Sequence, residues 1–343
     1  MSGMKPDLHK NGRAPAILPV TRLPAPPRLA PQSRFLMSTL QTARRYEELL
    51  SAPVEPSPYD YATLFQADGW LARRRAKARF QFLKTVDPKL RRILHPDEKV
   101  YYLTSGTTAT MVEQFFVGWV AQLVNQRALI FTTERVLLLQ IDHRKRPRDL
   151  VAQLPYTSIA DLKSTWDGHC RLRLRNHTTL NFAGVPKADR KFLRGFLADI
   201  LRDSVPPLPG VPHQGIENLC PHCFQAVAGL PAACPHCRGG FKSTRRAVWL
   251  SALFPGMGSL YLGHRGVAAF EILGAAMVWL GMVIVPLLGS LGPDAPAPAS
   301  DYWFSTAFAL AFLHGIDALV THNFATKGLH PAGASAPVTP ASG

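Results

Sequence analysis

The sequence predicts a multidomain α+β chain with three parts: a β-rich sandwich or barrel closed by a C-terminal helix, a small four-cysteine unit, and a C-terminal transmembrane helical hairpin. Three observations lead there. Short runs rich in β-branched and aromatic residues recur from residue 100 to 183 and end in an amphipathic stretch at 188–203. Four of the five cysteines form two CPHC pairs, Cys220/Cys223 and Cys234/Cys237, ten residues apart. Beyond Ala247 the chain turns into long apolar stretches with almost no charge.

Composition agrees with this division. At 343 residues the chain can hold two or three compact units. Lys+Arg number 39 against 23 Asp+Glu, a net +16, and 33 of those basic residues precede residue 206. A basic soluble half suits anionic lipid, at about 1 kcal/mol per nearby Lys or Arg. It would equally suit nucleic acid, or be a solvated surface. Residues 1–35 have no sustained apolar core, so no signal peptide is expected.

In chain order, residues 1–34 are rich in Pro, Ala and Arg and read as a disordered tail. Residues 35–95 read as a basic helical segment. Its first helix, Phe35–Leu50, is stopped by Pro53, Pro56 and Pro58. A second is expected from about Tyr61 to Val86, ended by Asp87-Pro88, with a short helix after it. Within it Arg73, Arg74, Arg75, Lys77 and Arg79 are expected partly on one face, as a surface for lipid or an acidic partner.

From 96 to 205 the period changes. VYYLTSG, VEQFFVGWV, RALIFTTERVLLLQID, LVAQLPYTSIADLKSTW, HCRLRLRN and TTLNFAG read as strands, with Thr104–Thr108 as a turn. Alternation is clear where Leu172 and Leu174 share one face and Arg171, Arg173 and Arg175 the other. Ala188–Asp203 carries Phe192, Leu193, Phe196, Leu197, Ile200 and Leu201 on one side. Cys170 reads as a small strand residue. The opening DEKVYYL, the hairpin LIFTTERVLLL with Thr133 and Arg135, the central LPYTSIADL and the terminal helix resemble a bacterial pleckstrin-homology-like (GRAM-related) domain. The resemblance covers about a third of the chain. It implies a β-sandwich or barrel with a C-terminal helix, acting as a lipid- or protein-binding module without catalytic residues. The basic run with Arg144, Lys145, Arg146 and Arg148 falls in a later loop than the first hairpin.

A proline-rich linker, 206–217, precedes the cysteines. Each CPHC sets two thiolates on a tight turn, and two such turns supply four sulfurs for tetrahedral zinc at about 2.3 Å per bond. Residues 218–241 are too few for a core of their own, so the metal would supply most of the fold. They resemble a short zinc ribbon. Zn²⁺ in a structural role is expected from Cys220, Cys223, Cys234 and Cys237, with iron the less favoured ion for the same ligands.

The membrane domain is expected over 245–325: 245–263 re-entrant or interfacial because of its Pro-Gly break and marginal length, then spans at 266–289 and 302–323. Arg245, Arg246, Arg265 and Lys327 flank one side, and the turn at 290–301 has no Lys or Arg, which places that turn outside and both termini in the cytoplasm. Pro255, Gly256, Gly258, Tyr261, Leu262, Gly263, the basic Arg265 and the helix acid Asp317 resemble the signature of the two-transmembrane-domain family. That resemblance implies architecture only. Glu271, His314 and Asp317 are polar groups at membrane depth, where a lone carboxylate is costly, and pairing such as Arg265 with Asp317 is expected. Residues 328–343 read as a disordered tail.

No phosphate loop, nucleophile elbow, HExxH or paired-carboxylate arrangement occurs, so no enzyme and no small-molecule substrate is expected. The expectation is a membrane-anchored interaction or scaffold protein of the bacterial cytoplasmic membrane, its soluble domains cytoplasmic, with the bilayer and an unidentified protein as partners. The alternatives are a membrane-tethered nucleic-acid-binding zinc ribbon, less favoured, and a small transport or channel component.

Overall fold

The computed structural model describes residues 58–65, 72–108, 118, 122, 124–165, 168–203, 215–289 and 300–333. The N-terminal tail, the helix expected at 35–50, the run VEQFFVGWV except Gly118, and the turn at 290–299 lie outside these residues. The described chain is α+β, with antiparallel sheets, a helix closing the β-rich part, and two apolar helices at the C-terminal end.

Strands β1 (Val100–Thr107), β2 (Gln126–Thr132), β3 (Arg135–Ile141) and β4 (Pro147–Pro155) pair in sequence order. A 3-10 turn at Tyr156–Ser158 leads into a second sheet of β5 (Ile159–Ser164), β6 (Cys170–Leu174) and β7 (Thr179–Phe182). The run expected to turn at Thr104–Thr108 instead continues β1 to Thr107. Gly106 allows this, because a Cβ there would lie 2.9 Å from Val185 and 3.0 Å from Phe182.

The first sheet is buried on both faces: all of β3 is inaccessible, and so is β2 apart from its first residue. On one face Leu129, Phe131, Leu138 and Leu154 meet Leu172 and Phe182 of the second sheet, and Leu193 and Leu197 of helix α3 (Lys187–Asp203). On the other face lie helices α1 (Tyr61–Leu64) and α2 (Ala72–Ile93), whose Leu64, Phe82, Val86 and Leu90 cover Leu103, Ile130, Leu137 and Leu139. The described part of the basic helical segment is therefore a third layer of the β unit, where a unit of its own was expected over 35–95. Burial on both faces explains why ALIF and VLLL are unbroken apolar runs instead of alternating ones.

Helix α2 also runs through Pro88 to Ile93, contrary to the expected break. Proline removes one helical hydrogen bond, but packing outweighs the loss. Val86 and Leu90 are fully buried on either side of it, and Asp87 accepts from Arg91 Nε (2.8 Å) and from the Tyr59 hydroxyl.

Strands β8 (Glu217–Leu219) and β9 (Ala226–Val227) extend the first sheet, giving the order β1-β2-β3-β4-β8-β9, with Val151 opposite Leu219. The cysteine unit is thus paired directly to the β unit, and Glu217 belongs to a strand, not to a linker. Residues 328–333, expected as tail, pack on it too. Leu329 and His330 are buried, the Lys242 N–H donates to the His330 carbonyl (2.8 Å), and Pro331 bridges to Phe241.

Helix α4 (Thr244–Leu253) breaks at Phe254–Gly256 before α5 (Met257–Leu262). At about 1.5 Å per residue neither piece can cross a bilayer core of about 30 Å. Helix α6 (Arg265–Trp279) continues through a π-helical turn at Leu280–Ile284 into α7 (Val285–Gly289), and α8 spans Ser300–Thr326. Arg265–Leu288 and Ser300–Thr326 are long and apolar enough to cross a membrane. Only 17% and 22% of their most apolar windows are buried, unlike core helices, and Leu273, Met277, Phe304 and Phe308 project outward. Pro286 leaves the Met282 carbonyl without its helical donor, and the Tyr302 hydroxyl supplies one at 2.9 Å.

Gly258 seats α5 against α4 and α8. A Cβ there would overlap the Ala247 carbonyl and the Ser251 hydroxyl, and lie 2.7 Å from Thr321. Gly258→Ala is expected to cost about 1–3 kcal/mol through overpacking, read as earlier thermal unfolding in detergent. Gly266→Ala, which meets open space, is the control, and equal melting of the two variants would refute this packing.

Candidate metal centre

The two CPHC turns repeat one backbone geometry. The Phe224 N–H donates to the Cys220 carbonyl and the Arg238 N–H to the Cys234 carbonyl, each at 2.9 Å. The Cys220 N–H donates to Gln225 O (2.9 Å) and the Cys234 N–H to Gly239 O (2.8 Å). The residue after each second cysteine, Phe224 or Arg238, takes the left-handed conformation with φ of 58°. Each turn thereby points two sulfurs inward.

All four Sγ atoms lie within 4.8 Å of one another, with Cys220–Cys237 and Cys223–Cys234 each at 3.7 Å. Sulfurs about 2.3 Å from one central ion would sit at tetrahedral edges of about 3.8 Å, whereas a disulfide needs about 2.05 Å. The four cysteines can therefore hold a metal ion. Burial pushes the Cys220 thiol up, so a cation is needed to keep that sulfur as thiolate. Desolvation also opposes ionisation at Cys234, but the N–H groups of Cys237 and His236 together with the Cys220 and Cys237 thiols outweigh it and bring this thiol to about 7. His222 packs beside Gly239 and is stacked parallel to Phe241, and His236 is exposed; neither belongs to the four-sulfur cage.

The unit is held from two sides. From the β unit, Gln153 Nε2 donates to Glu217 (2.6 Å), and Arg92 lies over the Phe224 ring at 5.3 Å. Gln153 in turn accepts from Arg135, which grips the fully buried Glu98 through Nε (3.0 Å) and Nη2 (2.8 Å). Thr132 Oγ1 donates to Glu98 at 2.6 Å. From the side of the apolar helices, residues 328–333 close over the unit. Lys327 Nζ at the end of α8 donates to Asn125 Oδ1 (2.7 Å), and Val124 packs near Val320 and Phe324, so the β unit touches the helical hairpin directly.

Of the basic residues expected on a surface, Arg74, Arg75 and Lys77 are exposed on α2, Arg144, Lys145 and Arg146 on the β3–β4 loop, and Arg148 at the start of β4; the Arg73 side chain lies outside the described residues. Lys145 lies over Phe82 (4.7 Å) and Lys89 bonds the Arg148 carbonyl, which brings loop and helix together. Arg79 is a correction. It is buried, pairs with Asp189 of α3 at 2.9 Å, donates to the Tyr102 hydroxyl (2.7 Å) and the Leu64 carbonyl (2.7 Å), and clips α2 to α3 around edge strand β1. Cys170 is buried as a strand residue, and burial pushes its thiol up to about 11.

The Pro-Gly segment and the apolar helices also differ from expectation in their pairing. Arg265 is exposed and makes no ion pair with Asp317 among the described residues. Asp317 instead accepts the Gly256 N–H at 3.0 Å, satisfying the backbone freed by the left-handed Gly256. His314 Nδ1 bonds the Ala252 carbonyl (2.9 Å). Tyr261 accepts the Ser243 N–H (3.2 Å) and lies under Lys242 and Arg246, while Pro255 and Gly263 flank α5. Both carboxyl oxygens of Glu271 are buried without a hydrogen bond, with Asp317 and Ser259 in electrostatic reach. Asp317→Leu would strand the Gly256 N–H at a cost of about 1–3 kcal/mol, whereas Asp317→Asn keeps an acceptor. The expected abundance is wild type above Asn above Leu; equal abundance of Asn and Leu variants would remove the capping role.

No family model, curated protein or solved structure matches this chain.

Proposed function

We propose that the chain is a non-catalytic, membrane-anchored interaction protein. In this reading the α6–α8 hairpin crosses the bacterial cytoplasmic membrane, α4–α5 lies at or re-enters its cytoplasmic face, and the β unit is held there as a pleckstrin-homology-like binding domain. Four strands, then three, then a closing helix is the order such a domain would have. Zinc is the ion best suited to four thiolates in a closed site, in a structural role.

The observation that carries the reading is the direct continuity from sheet to metal unit to hairpin: β4 pairs β8, and Lys242 and Phe241 bond the segment that leaves α8. A domain so attached sits at a fixed height over the bilayer, where the exposed Arg74, Arg75, Lys77 and Arg144–Arg148 face lipid or an acidic protein partner. The expected outcome is retention in membranes after high-salt and alkaline washes, together with a discrete protein adduct from a photo-crosslinker at Arg144. Release by salt alone would defeat the anchor. An adduct with RNA or DNA in place of protein would favour nucleic-acid binding.

A further inference from the structure

The cysteine unit, helix α4 and the chain leaving α8 enclose a cavity of about 240 Å³ lined by Leu230, Lys242, Ser243, Thr244, Arg245 and His330, among others. We propose that this cavity is a binding site for the phosphate headgroup of an anionic phospholipid. The inference rests on the membrane-anchored reading and adds a ligand and its site to it.

The charge is one-sided. No Asp or Glu occurs between Glu217 and Glu271, and neither Lys242 nor Arg245 has an acidic partner within ion-pair distance among the described residues. Lys242 is instead half-buried beside the Tyr261 ring at 5.7 Å, a partly desolvated cation with no carboxylate at ion-pair distance among the described residues. The acid in electrostatic reach of Lys242, Asp149, is already engaged by Lys89 at 3.4 Å. Hydrogen-bond donors are also available. Ser243 caps α4 by accepting from the Arg246 N–H, which leaves the Thr244 and Arg245 N–H groups without intrahelical acceptors. His330, held by the Phe324 carbonyl, is kept neutral by burial, its basicity lowered to about 4, so the positive charge comes from Lys242 and Arg245.

Depth selects the source of the phosphate. The cavity lies between the end of α8 at Thr326 and the start of α4, where the apolar part of the chain gives way to its basic flank. Leu230, exposed on the rim, adds an apolar lip that suits acyl chains more than free phosphate. A zwitterionic headgroup would bring its own cation into a wall with no free carboxylate, so a net negative lipid is preferred. Bound there, the lipid would tie the metal unit to the hairpin.

The test uses the full chain in neutral detergent, delipidated and then offered phosphatidylglycerol or phosphatidylcholine, with retained lipid measured by mass spectrometry. Wild type is expected to retain about one phosphatidylglycerol and to discriminate against phosphatidylcholine. The K242Q/R245Q variant is expected to lose on the order of tenfold or more in affinity, with metal content unchanged. The charge-matched R171Q/R173Q variant, on the distant second sheet, should behave as wild type. Equal retention of both lipids, or an unaffected K242Q/R245Q variant, overturns the site. Displacement of the lipid by millimolar inorganic phosphate would assign it to free phosphate and overturn the lipid. Failure of the chain to stay in alkaline-washed membranes would instead remove the anchored reading itself.

Discussion

Cys220→Ser is expected to empty the metal centre and unfold residues 215–242. The unit's own apolar core is Cys220, Val227, Cys234 and Phe241, with Leu329 from the far end of the chain. So small a cluster cannot by itself offset the conformational entropy lost in ordering that segment. A metal ion held by the four sulfurs would supply the missing stabilisation, because binding at a site that does not exist in the unfolded chain is folding free energy. The damage should spread one strand further, because β8 pairs with β4 and Leu219 belongs to the core under α2. Metal content should fall from one ion per chain to none, and proteolysis should open 215–242 while β1–β3 stay protected. His236→Ala, outside the sulfur cage, should keep the metal. A Cys220→Ser protein with full metal content and unchanged protease resistance would show that the sulfurs are not a single site.

Glu98→Ala is expected to destabilise the β unit by about 3–5 kcal/mol, the cost of breaking a buried ion pair and stranding its partner. The Glu98 side chain is fully buried and Arg135 is 8% exposed. Without the carboxylate, Arg135 keeps only the Ile93 carbonyl and Gln153 as acceptors. Gln153 also holds Glu217, so the loss reaches the metal unit. Desolvation alone would raise the pKa of Glu98, but Arg135, Thr132 and the His95 N–H together hold it below the usual glutamate range. A depressed folded-state value means that the carboxylate stabilises the fold above the unfolded pKa of about 4.3. That contribution is lost as pH falls through the lower folded-state value. Wild type should therefore lose thermal stability more steeply below about pH 4 than Glu98→Gln, and parallel pH profiles would contradict the pairing.

Much of this was legible in the sequence, for identifiable reasons. The cysteine spacing located the sulfur cage because tight CPHC turns permit few geometries. The strands and the closing helix followed from period, and the apolar helices from length. Arg79 was misplaced because five basic residues in LARRRAKARF dominate the reading, although its register was informative. Ala76, Arg79, Leu83, Val86 and Leu90 recur at helical spacing and are all buried, so Arg79 lies on the apolar stripe. In the same way the unbroken ALIF and VLLL runs signalled a sheet covered on both faces, and hence a helix above it. The placement of 328–333 had no local signal. Gly-Leu-His-Pro carries no period, and its contacts reach Lys242, Phe241 and Leu150 across the whole chain. Asp317 was correctly marked as needing a partner, but a backbone N–H exposed by a glycine break leaves no residue-type signature.

The central claim is that β unit and metal centre stand on one side of a membrane crossed twice by the C-terminal hairpin. Labelling of single introduced cysteines in intact cells with a membrane-impermeant thiol reagent tests it directly. Ala297→Cys, in the turn between the spans, should react from outside, and Arg144→Cys on the β3–β4 loop should react only after the membrane is opened. Reaction of Arg144→Cys in intact cells, or protection of Ala297→Cys until lysis, would contradict the account.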